Sequence, residues 1–116
     1  MSLLLGMTTL CIVANAGVAI ADYARADFVV KNSAEVGVAP AAVPYLASLK
    51  LAGALGLAVG LIAVPWLGLA AAIGLVLFFV GAVAVHVRAR VFYNIAFPVF
   101  YLLLAVAAAA YFAVGA

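Results

Sequence analysis

The sequence predicts an all-α fold, an integral membrane four-helix bundle, on three observations. Hydrophobic residues make up 73% of the 116 positions and charged residues 7%, too few charges to coat a water-facing surface. The run Leu51–Val85 holds no Asp, Glu, Lys, Arg or His, and neither Met1–Ala21 nor Val91–Ala116 carries a charge. No stretch alternates with period two as a membrane strand does, so backbone groups in lipid must bond within helices.

A helix needs about 20 apolar residues to cross a hydrocarbon layer of ~30 Å. The first crossing is expected at 3–22. A secretory signal opens with a basic segment, and no Lys or Arg precedes Asp22, so this stretch reads as a retained helix. The second crossing, 44–63, is interrupted only by Lys50. The uncharged run is too long for one helix and breaks at Val64-Pro65-Trp66, because proline lacks the N–H of a helix interior but suits a first turn. The third crossing follows at 66–87 and the fourth at 92–114, so that 1–116 forms a single transmembrane domain.

The hydrophilic stretch is the connection 23–40. Asp27, Lys31 and Glu35 stand four apart, a spacing for helical ion pairs, and Gly37 with Pro40 reads as a helix stop. An amphipathic segment is expected there, with Phe28, Val29 and Val36 toward lipid or protein. Arg25 and Lys31 on this connection and Arg88 and Arg90 on the third fall on one side, and the opposite side has no Lys or Arg. The positive-inside rule places the basic connections in the cytoplasm and both termini outside, with Trp66 at the outer interface and Tyr45 and Tyr93 at the inner one.

Ionisable and strongly polar groups inside membrane spans are rare and count as functional candidates. Asp22, Lys50, His86 and Asn94 fall at one level near the inner ends of the four crossings. Pro98 leaves the carbonyl four residues earlier, that of Asn94, without its helical donor. A polar pocket roofed by Phe78, Phe79, Phe97 and Tyr101 is expected, suited to an apolar body with a polar head such as a quinone or a lipid. The same residues also allow a structural reading. Lys50 can snorkel, His86 can belong to the basic cluster with Arg88 and Arg90, and Asp22 can pair with Arg25 or Lys50.

A lone Cys11 and a lone His86 exclude a thiol pair, two histidine axial ligands for haem, and a His/Cys/carboxylate metal set. No metal or covalent cofactor is expected, and no nucleophile with a base and an orienting group is visible. The glycine-rich stretches lie inside apolar helices, which excludes phosphate loops, and nothing calls for nucleic acid. Gly56 and Gly60, with Gly68, Ala72, Gly74 and Gly81, offer close backbone approach between the second and third crossings. The same motif allows a homo-oligomer.

The string Val43-Pro44-Tyr45-Leu46, then Leu49-Lys50-Leu51-Ala52-Gly53-Ala54-Leu55-Gly56-Leu57 with Gly60, resembles the second helix of the DoxX-like family. Gly74-Leu75 through Gly81-Ala82 to His86 resembles its third, and Lys31-Asn32 with Gly37-Val38-Ala39-Pro40 its first connection. The resemblance spans about Asp27 to Arg90. It implies a small multi-pass protein of the bacterial plasma membrane, with Lys50 and His86 at family-pattern positions. Relatives include a subunit of thiosulfate:quinone oxidoreductase, a membrane partner in oxidative-stress complexes and, more distantly, receptor-assembly chaperones.

The functional expectation is a quinone- or lipid-binding accessory subunit of a membrane redox complex, with Lys50, His86, Asn94, Asp22 and Tyr101 at the ligand. The alternatives are a non-catalytic assembly factor, and a stand-alone enzyme or carrier for a small hydrophobic molecule. The expected partners are membrane lipid and another membrane subunit.

Overall fold

The computed structural model describes residues 2–115; the outermost positions of the expected domain, 1 and 116, lie outside the described residues. Five α-helices follow one another: α1 (Ser2–Tyr23), α2 (Asp27–Glu35), α3 (Val43–Ile62), α4 (Pro65–Arg88) and α5 (Ala96–Gly115), with a 3₁₀ turn at Pro40–Ala42 leading into α3. The chain is an all-α bundle in which α1, α3, α4 and α5 are long and apolar enough to cross a membrane. Around the bundle α1 packs on α3 and α5, and α4 packs on the same two neighbours. The core between them is Cys11, Leu57, Ala72, Leu75, Phe79, Leu104, Ala105, Ala108 and Phe112.

Three helix ends at one pole are closed by the same device. After α1, Ala26 N–H donates to Ala21 O and Arg25 N–H to Asp22 O, with Arg25 at φ 53°. After α2, Val38 donates to Ser33 and Gly37 to Ala34, with Gly37 at φ 81°. After α4, Val91 donates to His86 and Arg90 to Val87, with Arg90 at φ 57°. These are Schellman closures, which satisfy orphan carbonyls by turning one residue left-handed. Glycine is the usual occupant, yet two of the three positions hold arginine.

At the other pole Pro65 occupies the first position of α4, where its missing N–H costs nothing. The turn brings Gly60 and Gly68 together so closely that a Cβ on Gly60 would sit 2.4 Å from Gly68 Cα. The Phe112 ring of α5 fills the space beside them.

Several expectations need correction. The fourth membrane helix starts at Ala96 rather than 92, because the left-handed Arg90 ends α4 and a turn at 93–95 precedes α5. Pro98 therefore lies in the first turn of α5, and Asn94 O accepts from Phe97 N–H at 3.1 Å instead of standing free. Gly74 and Gly81 are not packing positions, since a Cβ at either would meet nothing within 4 Å. The Asp27–Lys31–Glu35 ladder does not form. Among the described residues the ion pair within reach is Lys50–Asp22, and Glu35 instead accepts from the Tyr93 hydroxyl.

Candidate functional site

The site is built at the basic pole, where the connection forms α2. Val29, Asn32, Ser33 and Val36 recur at helical spacing, so one face of this short helix turns inward. Val29 and Val36 are buried while Phe28 stays exposed. The inward face closes a cavity of about 770 Å³ against α1, α3, α4 and α5.

All five residues expected to meet a ligand, Asp22, Lys50, His86, Asn94 and Tyr101, line this cavity, as do Phe78, Phe79 and Phe97. Its polar groups form two clusters. In the first, Lys50 Nζ on α3 donates to Asp22 Oδ2 on α1 at 2.6 Å, with 13% and 5% of the two side chains exposed. The ammonium also stands 5.6 Å from the centre of the Phe78 ring, within cation–π range. Lys50 thus turns into the bundle. Nearby, Tyr101 Oη donates to Ala14 O at 3.3 Å.

In the second cluster, His86 Nδ1 bonds Ala82 O at 2.7 Å and Nε2 lies 3.3 Å from Asn32 Oδ1. Asn94 Nδ2 donates to the same Asn32 oxygen at 2.7 Å. His86 is 4% exposed. These side chains join α2 to α4 and to the 91–95 connection. At the rim, Tyr93 Oη donates to the Glu35 carboxylate. That bond, with desolvation and the Glu35 charge behind it, pushes the Tyr93 hydroxyl above its ordinary range.

Asn32 was not singled out from the sequence as a site residue, although its place three residues after Val29 and four before Val36 puts it on the inward face. Asn15 was also missed. It is fully buried at the middle of α1, donates Nδ2 to Cys11 O at 2.9 Å, and leaves Oδ1 without a partner. Both are uncharged amides like Asn94, and amides can join helices in membranes as charged groups do.

A polar end and aromatic walls suit an amphiphile with a compact hydrogen-bonding head. The donor set of a lysine, a histidine and two carboxamides fits a quinone head or a lipid head equally. Among the described residues no three His, Cys, Asp or Glu side chains cluster as a metal site would require. A separate apolar groove of about 550 Å³ runs between α3 and α4 past Gly53, Gly56, Ala71 and Gly74, and shares Leu77 and Phe78 with the cavity.

The fold and its cavity define a class: small helical membrane bundles with a polar chamber at one pole. More particularly, the chain belongs to the DoxX-like family, whose model matches residues 6–108, a longer stretch than the motifs around α3 and α4. No curated protein and no solved structure compared with the chain gives a match.

Proposed function

We propose that this DoxX-like membrane protein holds an amphiphile, a quinone or a lipid, in the cavity at its basic pole, and serves as an accessory subunit of a redox complex. The reading places that pole in the cytoplasm and the chain in a bacterial plasma membrane. The observation that supports it is one cavity combining Asp22, Lys50, His86 and Asn94 with the rings of Phe78, Phe79, Phe97 and Tyr101. A quinone, when bound, supplies carriage of electrons together with protons. The chain's own residues orient the head, exclude water with aromatic rings and offer hydrogen bonds at Lys50 and the Asn32–His86–Asn94 cluster. In this reading a partner subunit exchanges the electrons.

Native mass spectrometry of the protein released from nanodiscs, with extraction and chromatography of what it retains, tests the proposal. A stoichiometric quinone or lipid is expected, reduced in an Ala82→Phe variant that fills the cavity. Release of bare protein under conditions that keep the bundle folded counts against it. The apolar groove between α3 and α4 favours a second reading, an assembly factor that packs on other membrane helices; that reading expects a retained protein subunit instead.

A further inference from the structure

The hydrogen bonds around His86 admit two arrangements. The Ala82 carbonyl oxygen can only accept, so His86 Nδ1, 2.7 Å away, carries a proton whatever the charge on the ring. Nε2 faces one terminal atom of the Asn32 carboxamide at 3.3 Å, and the Asn94 carboxamide faces the same atom at 2.7 Å. Oxygen and nitrogen of an amide are told apart by their partners. With oxygen at that position, His86 donates from Nε2 as well and is an imidazolium, and Asn94 donates its amide. With a neutral ring, Nε2 becomes an acceptor. Asn32 must then turn its NH₂ inward, giving one hydrogen to His86 and the other to Asn94, whose carboxamide turns so that its oxygen accepts. The charge and both amide orientations change together, since no mixed arrangement satisfies all three contacts.

The consequence falls on the other terminal atom of Asn32. This half-buried residue lines the cavity, and that atom has no partner among the described residues. The corresponding atom of Asn94 is buried without a partner and is closed to a ligand. Asn32 is thus the open polar end of the chain of amides. It presents N–H when His86 is charged and C=O when His86 is neutral.

We infer that Asn32 reads the head group of the cavity ligand, binding a carbonyl oxygen while His86 is charged and a hydroxyl while His86 is neutral. The inference rests on the reading of the cavity as an amphiphile site, and it names the ligand class: an apolar body whose head carries a carbonyl or a hydroxyl. The other titratable or charged groups on the wall are Asp22 from α1, Lys31 from α2, Lys50 from α3, Tyr93 from the 91–95 connection and Tyr101 from α5. Glu35 joins them through Tyr93, and Arg88 follows His86 on α4. Histidine is the side-chain type among these that ordinarily titrates between about pH 5 and 8.

The test uses the full chain in nanodiscs and two redox-inert probes with the same tail, para-decylacetophenone and para-decylphenol. The ketone only accepts, so its affinity is expected to fall about fivefold, the worth of one hydrogen bond, between about pH 5.5 and about pH 8. The phenol can accept or donate, so its affinity should stay level. His86→Gln should erase the pH dependence for the ketone. Asn32→Asp, able only to accept, should keep the phenol and lose the ketone at both pH values. Equal, pH-independent binding of both probes, or a ketone dependence that survives in His86→Gln, overturns the inference and leaves the amphiphile reading standing. Binding of neither probe at any pH overturns that reading, and the inference with it.

Discussion

Lys50 Nζ lies 2.6 Å from Asp22 Oδ2, tying α3 to α1 at the wall of the cavity. Asp22 is 3% exposed, so its carboxylate has little water to replace the lysine. Removing one partner of a buried ion pair leaves an uncompensated charge, which costs about 3 kcal/mol or more, whereas replacing both partners with apolar groups is often neutral.

Lys50→Met is therefore expected to lower the midpoint of thermal unfolding in detergent markedly, while Asp22→Leu/Lys50→Met regains most of the loss. Circular dichroism melts of the two variants check this. A single variant as stable as the parent would place the lysine's role outside the fold, in snorkelling or ligand contact alone.

The second expectation concerns the α3–α4 crossing. A Cβ on Gly60 would meet the Gly68 backbone at 2.4 Å and 2.7 Å and the Phe112 ring at 3.0 Å. Backbone cannot yield as a flexible side chain does, so Gly60→Ala should cost about 3 kcal/mol, the upper range for overpacking. Gly81→Ala, with nothing within 4 Å, should melt like the parent. Similar midpoints for both variants would contradict the close approach.

The contrast shows how far the sequence carries. Composition and helix length gave four crossings because lipid tolerates few backbone solutions, and Pro65 placed the α3–α4 turn. The candidates Asp22, Lys50, His86 and Asn94 were legible because polar groups are conspicuous in apolar helices. Gly56 and Gly60 were legible as packing positions, but Gly74 and Gly81 could not be told from them, since these glycines differ in which face of a helix meets a neighbour and the apolar residues surround these helices on all sides. The start of α5 was hidden because the sequence has no glycine to mark the left-handed end of α4; Arg90 takes that position.

That arginine carries its own prediction. A left-handed residue with a Cβ costs roughly 1 kcal/mol more than glycine. Arg90→Gly should therefore raise thermal stability by about 1 kcal/mol, while Arg90→Ala, which keeps the Cβ, should not. If both variants shift the midpoint alike, the cause is the lost charge rather than the backbone.

Arginine at strained caps at the basic pole fits a role in orientation, because loop Lys and Arg set topology. A cysteine at exposed Ala34 should resist a membrane-impermeant thiol reagent in intact cells, and one at exposed Ala63, in the opposite turn, should react. Cys11 is buried and gives little background. The reverse labelling would invert the proposed orientation and move the cavity to the outer leaflet.

The lid of the cavity should respond to alkaline pH. Tyr93 donates to the Glu35 carboxylate, linking the 91–95 connection to the end of α2, and that bond raises the Tyr93 hydroxyl above its ordinary range. A group whose folded value is raised contributes fully below its unfolded value, ~10 for a phenol, and loses that contribution as pH climbs through the folded value. The tether should therefore hold at neutral pH and release only in alkaline solution. A spin label at Ala34 is expected to stay immobilised up to about pH 10 and to loosen above it. Tyr93→Phe should loosen the label at every pH, because the ring remains but the donor is gone. Mobility that climbs near neutral pH in the parent, or a Tyr93→Phe variant as immobile as the parent, would show that α2 is held without the Tyr93–Glu35 bond, by Val29, Val36 and the hydrogen bonds of Asn32.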